Sequence, residues 1–108
     1  MQLREVAHAR TGDKGDISSI SVIAHEPGDF AFLCEHLTPD RVKAHFRGMV
    51  RGTVERYELP GLGALNFVLH GTLGGGVTRS LALDAHGKSL SSYLLSLELP
   101  DPQAEKRP

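Results

Sequence analysis

The chain has 108 residues, 40% of them apolar and 23% charged, with a formal net charge of −1 and a pI near 6.6. This is the size and balance of one soluble globular domain, without the basic excess that a nucleic-acid or anionic-membrane surface needs, and no run nears the ~18 apolar residues of a transmembrane helix. One cysteine, Cys34, cannot make an intrachain disulfide, which suits a reducing, cytoplasmic setting, and residues 1–10 lack the apolar run of a signal peptide.

Residues 2–9 alternate well enough to predict a first strand, with Leu3, Glu5, Ala7 and Ala9 on one face. Residues 10–16, with two glycines and four charged side chains, read as a loop. Residues 17–25 predict a second strand with Ile20, Val22 and Ala24 on one face and Ile17, Ser19, Ser21 and Ile23 on the other. Pro27-Gly28 breaks the chain and offers Asp29 as a helix cap. Phe30, Leu33, Cys34 and Leu37 then form one apolar helical stripe. Thr38 as N-cap and Pro39 at the first helical position start a second helix, carrying Val42, His45, Phe46 and Met49. The two helices are predicted over 29–37 and 39–48.

Residues 50–59 predict a third strand, stopped by Pro60-Gly61. Residues 62–73 are predicted as helix from the spacing of Leu62, Leu65, Leu69 and Leu73 and from the glycines that follow. Residues 77–84 and 89–99 alternate about the turn 85–88, which predicts a β-hairpin with a serine- and threonine-rich face of Thr78, Ser80, Ser92 and Ser96 and one apolar point, Leu94. Residues 1–99 make a single domain and 100–108 a flexible tail. The order β, β, helical pair, β, helix, β, β predicts an α+β fold, an antiparallel sheet with helices on one face.

Arg10 and Lys14 match a carboxylate or phosphate, while Asp13 and Asp16 suit a hard cation or acid–base work. The competing reading is a loop whose charges are solvated. The glycine run around Gly75 offers backbone amides to an anion, but it precedes a predicted strand and not a helix, so a plain connection fits better. Asp84, His86 and Lys88 gather at the predicted turn as an acid–base set or as ordinary turn chemistry. Asn66, the only asparagine, sits in an apolar segment and must find hydrogen-bond partners or line a site. No two of the six histidines stand three or four apart and there is one cysteine, so no metal and no cofactor is expected. Cys34, on an apolar stripe, reads as a core residue and not a nucleophile.

The string Ala9-Arg10-Thr11-Gly12-Asp13-Lys14-Gly15-Asp16 resembles the opening motif of the small domain associated with acyclic terpene utilisation protein A. Leu37-Thr38, Val54-Glu55-Arg56-Tyr57, Ala64-Leu65-Asn66-Phe67-Val68-Leu69, Leu73-Gly74-Gly75-Gly76-Val77 and Ser80-Leu81-Ala82-Leu83-Asp84-Ala85-His86-Gly87-Lys88 match it in order. The resemblance implies a ferredoxin-like fold. It also implies a large AtuA-like subunit as partner, in the degradation of acyclic terpenes through coenzyme A thioesters. The expected role is an accessory subunit or interaction module. The alternative is a small enzyme or ligand-binding protein whose 10–16 loop holds an anionic substrate. Neither nucleic acid nor membrane is an expected partner. A sheet with one face left bare predicts a homo-oligomer, most simply a symmetric dimer.

Overall fold

The computed structural model describes residues 1–14, 17–47, 49–71 and 90–100, with the side chains of Asp13 and Lys14 outside that description. Four strands form one sheet: β1 (Ala7–Lys14), β2 (Ile17–Ala24), β3 (Val54–Leu59) and β4 (Ala64–His70). Their order is β1-β2-β4-β3, every neighbouring pair antiparallel. Among the described residues three helices, α1 (Asp29–His36), α2 (Pro39–His45) and α3 (Leu90–Leu94), pack on one side. β2 and β3 run in the same direction with β4 between them, and α1 and α2 make the crossover. This is the split βαβ unit of ferredoxin-like folds.

The alternation of β2 survives intact. Ser18, Ile20 and Val22 are fully buried, beside Leu65, Phe67 and Leu69 of β4. Leu33 and Leu37 of the first stripe and Val42 and Phe46 of the second close the core over them. Each such Leu or Phe contributes about 1.5–3 kcal/mol by leaving water. Thr38 is extended and its hydroxyl accepts from the Arg41 N–H at 3.1 Å, with Pro39 opening α2. Gly28, not Asp29, occupies the N-cap of α1, and Asp29 is its first helical residue. Cys34 is half-buried at the edge of the core.

Four expectations are corrected. The first strand begins later and runs further. Leu3–Glu5 is a 3-10 turn, and β1 continues to Lys14, paired without a break from Ala7↔Ala24 to Lys14↔Ile17. Arg10, Asp13 and Lys14 therefore lie in a strand and not in a loop. Among the described strands β1 is an edge, where charged residues and Gly12 are tolerated because one side of the ladder is open. The third strand is shorter, starting at Val54. Residues 51–53 extend its ladder through Gly52 N–H to His70 O at 2.9 Å.

Residues 62–71, the described part of the predicted helix 62–73, are not a helix. A 3-10 turn, Pro60–Leu62, leads through Gly63 at φ +60° into β4. Leu65, Phe67 and Leu69 alternate inward, whereas Leu62 is 72% exposed. Residues 90–99, the described part of the predicted strand 89–99, are not a strand either. Leu90, Leu94 and Leu97 are buried one turn apart, and α3 seats on β1 and β2. Leu94, expected on the open face, is fully buried. Ser92 lies on α3, and Ser96 follows it with its hydroxyl donating to Tyr93 O at 2.6 Å. The other hairpin strand, 77–84 with Thr78 and Ser80, lies outside the described residues. Beyond α3 the chain returns to its start. Met1 N–H to Leu99 O (2.8 Å), Leu99 N–H to Met1 O (2.7 Å) and Leu3 N–H to Leu97 O (2.8 Å) clasp the two ends.

Candidate functional site

Because strand pairing fixes which side chains share a face, the surface opposite the helices can be read row by row. Arg10 of β1, Ser21 of β2, Asn66 of β4 and Tyr57 of β3 stand side by side across all four strands. Gly12, Ser19, Val68 and Glu55 form the next row. Arg10 is exposed at the β1 edge, and a Cβ on Gly12 would meet nothing within 4 Å.

Hydrogen bonds tie the centre together. Asn66 Oδ1 accepts from the hydroxyls of Ser19 at 3.1 Å and Ser21 at 3.0 Å. The carbonyl side of the amide is thereby taken, and its N–H donors remain for something else. On the β3 edge Tyr57 OH donates to Glu55 Oε1 at 3.0 Å. That bond, and secondly the carboxylate's charge, push the Tyr57 phenol up from its usual value, with burial a lesser contribution. His70 Nε2 lies 3.6 Å from Glu55 Oε1, too far for a hydrogen bond, and this nitrogen is shielded from solvent without a hydrogen-bond partner. Ile17, Tyr57 and Leu59 leave substantial apolar area exposed around this polar centre.

Of the residues predicted to carry a site, Arg10 and Asn66 are brought together, two strands apart and about 10 Å between backbones. Asp13 and Lys14 lie on β1, Lys14 in register with Ile17. Asp16, Gly75, Asp84, His86 and Lys88 lie outside the described residues. Sequence reasoning passed over Ser19, Ser21, Glu55, Tyr57 and His70. Reading 64–70 at period two would have placed Asn66, Val68 and His70 on one face against Leu65, Phe67 and Leu69.

A separate pocket of about 380 Å³ opens where β2 leaves for α1, lined among others by His25, Glu26, Phe30, Pro60 and Leu62. It is partly walled by exposed turn residues. Cys34 offers no nucleophile. Burial first, and then the Glu58 carboxylate, push its thiol up, against a smaller opposing effect of Arg56. Arg56 has a structural task. Its Nη1 donates to the carbonyls of Cys34 at 2.8 Å and Leu37 at 3.1 Å, capping the end of α1, while Nη2 meets Glu58 Oε2 at 3.1 Å. Among the described residues no group of three or more His, Cys, Asp or Glu could hold a metal ion, and no helix is long and apolar enough to cross a membrane.

Neither a curated protein nor a solved structure matches the chain. The family model described as the AtuA ferredoxin-like domain matches residues 1–100. A four-stranded antiparallel sheet with its helices on one side is the architecture that description names, and the chain belongs to the AtuA ferredoxin-like domain family.

Proposed function

We propose that this domain is an accessory assembly module that works with a large AtuA-like subunit in the breakdown of acyclic terpenes or related coenzyme A thioesters. The observation that carries the reading is the sheet face that none of the described helices covers. Its central amide oxygen accepts from two hydroxyls, and apolar Ile17, Tyr57 and Leu59 surround them. Such a face is flat, preformed and inexpensive to desolvate, which favours docking over turnover. Family membership supports the choice of partner, and the cytoplasm is the setting in which that chemistry would meet it. The test is co-expression of the tagged domain with a large AtuA-type subunit. A stoichiometric complex is expected, and its loss in Asn66→Arg, which places a cation in the centre of the face, confirms the surface. Separate elution of the two chains would overturn the reading.

A second reading has one observation in its favour. The Arg10 guanidinium and the Asn66 amide N–H are donors on one row of the face, with the Ser21 hydroxyl between them donating to Asn66, an arrangement that suits a carboxylate or phosphate. Calorimetric titration with a coenzyme A thioester tests it. Binding that Arg10→Ala abolishes and Lys14→Ala weakens would favour a ligand site over an assembly surface.

A further inference from the structure

We infer that the sheet face opposite the described helices pairs with a second copy of this chain, about a two-fold axis that runs parallel to the strands. This rests on the reading of that face as an assembly surface, and a second copy covers it in the domain alone, in competition with the large subunit.

The argument is one of charge and symmetry. The face is polarised across its width, with exposed Arg10 on edge strand β1 and exposed Glu55 on edge strand β3. Two copies can meet face to face about an axis across the strands or along them. An axis across the strands lays each edge over itself, bringing Arg10 towards Arg10 and Glu55 towards Glu55. An axis along the strands lays β1 of one copy over β3 of the other. The row Arg10–Ser21–Asn66–Tyr57 then covers the same row reversed. Arg10 reaches the ring of Tyr57 in the second copy, one rung from its Glu55, and the Asn66 N–H donors face a Ser21 hydroxyl. Cation–π contact and ion pair both form twice, as an isologous interface requires. Gly12, with open space above it, leaves room for the Glu55 side chain of the other copy. Two twisted sheets stacked this way fall into the aligned packing of sandwiches.

The face measures roughly 19 by 23 Å from strand spacing and rise. That is smaller than the ~800 Å² a side of a standard interface, so the dimer is expected to be weak, with a dissociation constant in the micromolar range.

The experiment is a charge swap read by sedimentation equilibrium between about 5 and 500 μM. Arg10→Glu and Glu55→Arg each place like charges opposite one another at both ends of the interface. Each alone is expected to weaken association at least about tenfold. Their equimolar mixture restores it, because every contact in the mixed dimer is again between opposite charges. Gly12→Phe, whose Cβ would meet nothing within 4 Å in its own domain, blocks pairing by bulk, and melting curves check that all three variants fold. A wild type that stays monomeric throughout, or a mixture that stays monomeric while the wild type associates, overturns the inference. The same variants co-expressed with the large subunit separate the two proposals. If the wild type is monomeric but Arg10→Glu and Gly12→Phe lose the large subunit, the assembly reading stands and self-pairing falls. If neither association exists, both fall.

Discussion

Replacing Arg56 by methionine keeps most of the aliphatic stem and removes only the guanidinium. The Arg56 side chain is 19% exposed, and its guanidinium donates to two carbonyls at the end of α1 and to Glu58. Hydrogen bonds to a charged group contribute about 1.5–3 kcal/mol each when removal leaves a partner unsatisfied. Water can reach part of a helix end, so the lower value applies to each carbonyl. Glu58 is half exposed, and its ion pair adds well under about 1 kcal/mol. The expected loss is about 3 kcal/mol, carried mainly by the carbonyls. At roughly 4–8 °C per kcal/mol for a domain near this size, the melting midpoint falls by about 12–24 °C. Circular dichroism melts and urea titrations measure both quantities. Arg56→Lys, with one reachable ammonium, should recover only part of the loss. Glu58→Gln should cost less than about 1 kcal/mol, and salt should change the Arg56→Met deficit little. A variant within about half a kcal/mol of wild type, or a Glu58→Gln loss equal to that of Arg56→Met, would refute the capping argument.

A Cβ at Gly52 would stand 2.9 Å from both Cβ and O of His70. Gly52→Ala should therefore cost about 1–3 kcal/mol by denaturant titration, whereas Gly12→Ala stays within about half a kcal/mol. Thr11 Oγ1 accepts the Ser91 N–H at 2.8 Å, anchoring α3 to β1. Thr11→Val should lose about 1–3 kcal/mol and speed exchange of the Ser91 amide in NMR. Asn66→Leu strands two half-buried serine hydroxyls and should destabilise by about 1–2 kcal/mol, with Asn66→Asp milder because acceptors remain. The Tyr57 phenol is raised by its bond to Glu55, so its ultraviolet titration should lie above that of Glu55→Gln. The raised value means that its contribution to stability is intact below the usual phenol pKa of 10.0 and fades as pH climbs through the folded value.

The parts of the fold that could be read from sequence are those where one signal acts alone. β2 has small hydroxyls alternating strictly with Ile20 and Val22, and α2 has Thr38-Pro39 as an unambiguous start. β4 misleads because it is an inner strand. Val68 puts an apolar residue on the open face, and Leu62, Leu65 and Leu69 imitate a helical stripe although Leu62 points to water. α3 misleads in the opposite direction, since serines alternating with Leu and Tyr imitate a strand while Leu90, Leu94 and Leu97 have the spacing that tertiary packing uses. Charge density made Arg10 to Lys14 look like a loop, where an edge strand simply tolerates charge. Arg10 and Asn66 were legible as polar residues needing partners. Their common row was not, because register between β1, β2 and β4 is a property of the assembled sheet.

The clasp between the two ends of the domain bears on how it hangs from anything attached to it. Residues 1–4 run antiparallel to residues 95–99, so a tether at either end leaves from the same point of the surface. Tension between two such tethers would load the hydrogen bonds one after another, from Met1–Leu99 inward to Leu3–Leu97 and Arg4–Leu95, so the clasp would part like a zip at low force. A polypeptide joined ahead of Met1 would turn its ammonium into an amide that still donates to Leu99 O. The only loss would be the contact with the solvent-exposed carboxylate of Glu98. Both ends thus form one attachment point, and the sheet behind it can turn as a rigid body about that point while its register stays fixed.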